Sequence, residues 1–215
     1  MKEPIISLDS QDHPLCVQII AVDFSITSPG VAIWDGQRIT VFALSEKVKR
    51  NIEVQAGEHR ALLYPCWNKS KGEEKVERYL AKAHDLATLI KYHVGVYTQP
   101  ASQVWLAEGM AMQAKGAVLD IAEAFGMFEH ALHSQYHNAF FEKVAPSTVK
   151  KSFHGKGNAK KDEMVAKAMV DPIIGPLIYG LLEAEPKLKV DGSSPIGDLV
   201  DAYALCKMKM FSSTL

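Results

Sequence analysis

The sequence predicts a mixed α/β fold, a five-stranded sheet in which an antiparallel meander is continued by parallel strands and flanked by helices. Three observations point there. Three short apolar runs follow one another within the first 45 residues, and Asp35-Gly36 between the last two is a strong hairpin signal. Further along, short buried-type runs alternate with segments of helical period, the pattern of parallel crossovers. The last such segment, residues 197–210, is an apolar helix that opens on two aspartates.

Taken in order, residues 1–14 are a polar arm, and residues 17–23, 30–34 and 38–44 are three strands. Residues 46–70 mix charge with Gly57 and the Tyr64-Pro65-Cys66-Trp67 cluster and show no clear period, which suggests an inserted loop with room for one short extra strand. Residues 73–93 carry Val76, Leu80, Ala83, Leu86, Ala87 and Ile90 on one helical face. A fourth strand covers 104–108. A second helix, 118–133, has a face of Val118, Ile121, Ala122, Phe125, Phe128 and Leu132 wide enough for core and partner together. Residues 139–144 form a fifth strand. Pro146 opens a short helix over 147–153, and Asn158 suits the N-cap of a helix over 159–170. Four prolines and three glycines in 171–196 read as a second irregular insertion before the final helix. The expectation is one domain over 1–215, with insertions near 46–70 and 171–196.

A chain of 215 residues can bury a substantial core, and 47% hydrophobic content argues against disorder. The net charge of −1 gives no global field toward nucleic acid, so any such surface must be local. Cys16, Cys66 and Cys206 are odd in number and lack a CxxC pair, which reads as reduced thiols of an intracellular protein. No apolar run reaches ~18 residues and no signal-type segment is visible, so a cytoplasmic protein with no membrane association is expected.

The chemistry gathers on four acids. Asp23 ends the first apolar run and Glu108 ends the fourth, while Asp198 and Asp201 share a face of the last helix three residues apart. Each has an ordinary reading of its own. Asp23 suits a turn, and Asp198 suits the first turn of a helix. Glu108 is harder to dismiss, because a charge at the end of a buried strand is costly without a partner. Two like charges at helical spacing invite a cation. Hard Mg²⁺ or Mn²⁺ takes such oxygen ligands, and a pair of ions roughly 3.5–4 Å apart is the apparatus of phosphodiester hydrolysis.

A second group is basic. Seven lysines lie between Lys143 and Lys167, against Asp162 and Glu163. A solvated helix face accounts for many such runs. Here, however, Lys150, Lys151, Lys156, Lys160 and Lys161 surround Gly155-Lys156-Gly157-Asn158, where backbone N–H groups and lysine could cradle phosphate. No Walker A motif is formed. His130, His133 and His137 lie at helical spacing but read as an exposed helix end rather than a zinc site.

These residues resemble a family, the RuvC Holliday-junction resolvases of the RNase H-like superfamily, and within it a phage or divergent bacterial branch. The stretch 149–161, VKKSFHGKGNAKK, is similar to the family's VK…GxGxAxK segment, and Asp198-Leu199-Val200-Asp201-Ala202 to its DxxDAxAxA helix. The resemblance spans about 17–45 and 73–210. It implies an RNase H-like sheet and a crossover junction endodeoxyribonuclease in which Asp23, Glu108, Asp198 and Asp201 hold two Mg²⁺, with Mn²⁺ able to substitute. It further implies that Lys150 and Lys161 contact DNA near the scissile phosphate. The expected enzyme is a homodimer, paired in part through the 118–133 helix, that cuts four-way DNA by symmetric nicks leaving 5′-phosphates. Two departures stand out: Phe24-Ser25 replaces the family's Pro-Gly pair, and Met110 and Met112 lie where an aromatic residue often follows the fourth-strand acid. Competing readings are a debranching nuclease for forks and flaps, a DNA-binding protein without turnover, and an actin- or sugar-kinase-like ATPase suggested by residues 23–30.

Overall fold

The structure, a computed structural model, describes residues 17–66, 75–95, 102–109, 118–137, 139–191 and 195–212. Among these residues, seven strands and six helices succeed one another in chain order: β1 Val17–Asp23, β2 Gly30–Trp34, β3 Ile39–Ser45, β4 Ile52–Ala56, β5 His59–Pro65, α1 Lys75–Gly95, β6 Ser102–Glu108, α2 Val118–His133, β7 Phe141–Val144, α3 Pro146–His154, α4 Lys161–Met169, α5 Ile174–Ala184 and α6 Pro195–Ser212. The single sheet runs β4-β5-β3-β2-β1-β6-β7. As expected, β1, β2 and β3 form an antiparallel meander and β6 and β7 extend it in parallel with β1. The β2–β3 turn is set by Asp35, whose carboxylate accepts the N–H groups of Gln37 (3.0 Å) and Arg38 (2.7 Å), and by Gly36 at φ 102°.

Strand direction, more than strand count, positions the acids. Because β1 and β3 both run opposite to β2, the C-terminal ends of β1, β3, β5, β6 and β7 all reach one edge of the sheet. Asp23 and Glu108 therefore end side by side there, as the pairing Val22↔Ala107 requires.

Both sheet faces are covered, so the central strands are apolar on both sides. Ile19, Ala21, Ala32, Val41, Ala43 and Leu106 lie in one core with α4, α5 and α6. Ile20, Val22, Val31, Ile33, Phe42 and Trp105 lie in the other, under α1 and α2. Helix α6 is buried along most of its length and crosses β1, β2 and β3 over small residues. Its approach is closest at Gly30, where an added Cβ would collide with the Asp198 carbonyl and press on Ala202.

The structure corrects four expectations. The sheet has seven strands rather than five, because residues 52–65, inside the expected insertion, fold into the β4–β5 hairpin: Ile52-Glu53-Val54-Gln55-Ala56 alternates in burial, and Gly57 turns at φ 60°. The 171–196 segment is not irregular throughout, because Ile174, Leu177, Ile178 and Leu181 bury one face of α5 and Pro176 falls in its first turn, where a missing N–H breaks no helical bond. Helix α4 starts at Lys161 and is capped at Lys160, not Asn158, with Glu163 accepting the Lys160 N–H at 2.7 Å. On α1, Tyr79 turns inward, while Val76 and Leu80 of the expected apolar face are exposed.

Among the described residues no single helix is long and apolar enough to cross a membrane. The bent pair α4–α5 passes on composition, but most of its apolar side chains, among them Met164, Val165, Ile174, Leu177, Ile178 and Leu181, are core residues.

Gly30→Ala is expected to lower the unfolding free energy by about 1–3 kcal/mol, as overpacking does, and to shift α6 away from the sheet. Urea melts of the two proteins check this, and equal midpoints would contradict the close approach.

Candidate metal centre

Strand β1 delivers Asp23, β6 delivers Glu108, and the first turns of α6 deliver Asp198 and Asp201 to the same point. One carboxylate oxygen from each of Asp23, Asp198 and Asp201 lies within 4.8 Å of the others. Glu108 is the fourth member, joined to Asp23 through a hydrogen bond between their side chains. All four acids singled out in the sequence are thus neighbours in space. The side chains of Asp198 and Asp201 are only 12% exposed, so water screens their repulsion poorly.

That crowding sets the electrostatics. Burial, then the negative charge of Glu108, Asp201 and Asp198, raises the Asp23 carboxyl well above its usual range. Burial pushes Asp201 up to about 6 against the opposing pull of Lys161, with Glu108 and Asp198 adding to the rise. Asp198 is also raised by burial, though Lys161, Ser28 and Lys47 favour its ionised form. The Lys161 ammonium, half-exposed at the start of α4, lies 3.2 Å from Asp198 and 3.3 Å from Asp201. Burial disfavours its charge, but Asp198, Asp201 and Asp23 outweigh that and raise its pKa.

Of the five lysines predicted to contact phosphate, Lys161 alone pairs with the carboxylates. Lys150 and Lys151 lie on α3, and Lys156 and Lys160 on the exposed connection to α4. The two glycines there have separate structural tasks. Gly155 closes α3 in the left-handed region at φ 95°, and Gly157 lies against the Ser147 carbonyl. The Glu163 carboxylate already takes one N–H at the α4 entrance, which weakens the expected backbone cradle. Met110 and Met112 lie outside the described residues.

Several positioning residues escaped the sequence reading. Phe24, where the resemblance expects a Pro-Gly pair, packs on Phe125 and Phe128 at centroid distances of 5.3 and 5.5 Å and ties the end of β1 to α2. On the other face, buried Asp171 anchors α6 from the α4–α5 corner. It accepts the Tyr203 hydroxyl at 2.8 Å and the Ile173 N–H at 2.9 Å, and it pairs with Lys207. Burial would raise the Asp171 carboxyl, but Lys207 and these donors hold it below its usual value. The signal was present in Tyr203 and Lys207, four residues apart on α6, but their partner is 32 residues before Tyr203.

No protein-family model matches the sequence, and neither does any curated protein. Solved structures do match. The yeast mitochondrial Holliday junction resolvase Ydc2 aligns over 89% of this chain and 77% of its own, at 10% identity and a TM-score of 0.50. The chain shares that resolvase's fold. Thermus thermophilus RuvC also aligns, over 92% of this chain and 96% of its own at 14% identity and a TM-score of 0.47. The same protein in complex with a Holliday junction substrate gives 91%, 94%, 15% and 0.48. The mixed sheet and flanking helices are the RNase H-like arrangement expected from the sequence, with β4 and β5 added at one edge.

Because the folded-state carboxyl of Asp201 is raised, the metal-free fold binds protons more readily than the unfolded chain between about pH 4 and 6 and loses stability as pH rises through that window. Buried His93, lowered to about 4, acts in the opposite direction, so a variant comparison is needed. In EDTA at pH 8, Asp201→Asn is expected to be more stable than the wild type by on the order of 3 kcal/mol, and this advantage vanishes toward pH 4. Denaturant melts at both pH values would refute this if Asp201→Asn were the less stable protein throughout.

Proposed function

We propose that the protein is a divalent-metal-dependent DNA endonuclease that resolves Holliday junctions and related branched DNA by paired, symmetric nicks. The observation that carries this reading is the buried carboxylate cluster at the sheet edge of a fold shared with a Holliday junction resolvase. The donor set fits the ion: it is all oxygen and densely negative, the kind of ligand that hard Mg²⁺ or Mn²⁺ takes while keeping some of its water. Asp23, Glu108, Asp198 and Asp201 would hold two such ions. When bound, they would supply an activated water nucleophile and charge neutralisation at the departing oxygen.

The remaining work falls to the chain itself. Strand ends fix Asp23 and Glu108, and the α6–Gly30 contact sets the depth of Asp198 and Asp201. Lys161, the first residue of α4, balances two of the carboxylates in the metal-free protein, and with the metal bound it would be placed to hold the scissile phosphate. Lys150, Lys151, Lys156 and Lys160 hold neighbouring phosphates by charge, which positions the DNA without reading its bases.

We read residues 1–215 as one nuclease domain, with the β4–β5 hairpin and α5 as additions to it. The enzyme would work as a C2 homodimer in the cytoplasm of a bacterial cell or phage-infected host, since a two-fold substrate presents equivalent strands to two equivalent sites. Leu119, 80% exposed on α2, with Val76 and Leu80 exposed on the adjoining α1, supports pairing on that side.

On a labelled four-way junction in Mg²⁺, Asp23→Asn and Asp201→Asn are each expected to reduce cutting to background while leaving junction binding in Ca²⁺ largely intact. Wild-type cutting rates in either variant would sink the assignment of these carboxylates.

A further inference from the structure

The connection that leads into β4 and the one that leaves α5 meet near the start of α6 and form a cleft that the proposed mechanism does not use. Its volume is about 360 Å³, and it is lined by Lys47 and Lys49 from the β3–β4 connection, by Lys187 and Lys189 from the turn after α5, and by Glu185 and Asp191. The four lysines are exposed, while the two acids are half-buried. Packing holds the walls together. Gly180 of α5 lies against Val54 of β4, and the Arg50 guanidinium donates to the Ala184 carbonyl at the end of α5.

Placement gives this cleft its meaning. The β3–β4 connection leaves the sheet at the edge where Asp23 and Glu108 end, and β3 is separated from β1 only by β2. At about 4.8 Å per strand spacing, the end of β3 lies roughly 10 Å from that of β1. On the opposite side, β7 is likewise two strands from β1, and it leads into the α3–α4 segment bearing Lys150 to Lys161. Pro195, which also lines the cleft, begins α6 three residues before Asp198, about 4.5 Å along the helix axis. Lys47 is close enough for its charge to act on Asp198. Basic segments thus flank the carboxylates on both sides of one edge. A polyanion crossing the centre, with successive phosphates ~3.4 Å apart along a duplex axis, meets both.

We infer that the cleft of Lys47, Lys49, Lys187 and Lys189 is a second track for the DNA backbone, carrying the substrate arm that leaves the metal centre on the side opposite the lysine–glycine segment. This rests on the branched-DNA nuclease reading. A duplex arm fits better than a small anion, because the cleft is open, its lysines come from two separate connections, and it continues the line of the catalytic edge.

The test uses Lys187→Ala/Lys189→Ala and its charge-reversed counterpart Lys187→Glu/Lys189→Glu, neither of which touches the carboxylates or Lys161. Binding to a four-way junction and to a linear duplex of single-arm length is measured in Ca²⁺ across a salt series, with thermal melts as the control for folding. The alanine pair is expected to bind the junction about tenfold more weakly and to flatten the slope of log affinity against log salt by about two. The glutamate pair should bind more weakly still, and both should lose less affinity for the single-arm duplex. Unchanged junction affinity and slope in variants that melt like the wild type would overturn the second track while leaving the nuclease reading intact. Equal losses on both DNAs would overturn the arm assignment. If the wild type itself neither binds nor cuts branched DNA, the nuclease reading fails first and takes this inference with it.

Discussion

Four carboxylates forced together at the edge of a buried sheet are the constraint around which this molecule is arranged. Asp23 and Glu108 cannot separate, because β1 and β6 are parallel neighbours in fixed register. Asp198 and Asp201 cannot retreat, because α6 is packed on the sheet along its length and pinned at Tyr203 and Lys207 by Asp171. In so poorly screened a setting like charges either take up protons or gather a cation. The molecule shows both tendencies, in the raised carboxyls of Asp23, Asp198 and Asp201 and in the Lys161 ammonium drawn onto two of them. A packed hydrophobic core has no use for such an arrangement. A divalent-metal site does.

The same constraint explains features that look incidental one by one. Gly30 is small because the Asp198 backbone lies over it, and Ala202 beside it keeps the contact close. Phe24 comes directly after the first acid and stacks on α2, so the strand end that carries Asp23 is braced from the opposite face. The carboxylates are held from both cores.

Much of this was legible in the sequence because it is local. The Asp35-Gly36 turn, the bounds of β1 and β2, α2 and the pairing of Asp198 with Asp201 all arise from patterns a few residues long. The resemblance of residues 149–161 and 198–202 then gave the acids a common purpose, and the structure places the four of them together. The features that stayed illegible were either obscured locally or set by long-range contacts. Pro172, Pro176 and Gly175 hid α5, although Ile174, Leu177, Ile178 and Leu181 repeat at helical spacing. The alternation of β4 was overshadowed by the charged residues around it. Asn158 was the better N-cap by propensity, yet the helix begins at Lys161, with Glu163 closing back on Lys160. The Asp171 anchor and the demand for glycine at position 30 depend on contacts between distant segments, which no local pattern encodes.

The nuclease reading stands or falls on what the wild-type protein does to branched DNA. The most direct measurement is a panel of end-labelled substrates in Mg²⁺, with EDTA controls: a four-way junction, a matched fork, a flap and a linear duplex. Paired nicks at symmetric positions on opposing strands of the junction, absent in EDTA and absent from the linear duplex, are the expected result. No cutting of any branched substrate in Mg²⁺ or Mn²⁺ would contradict it.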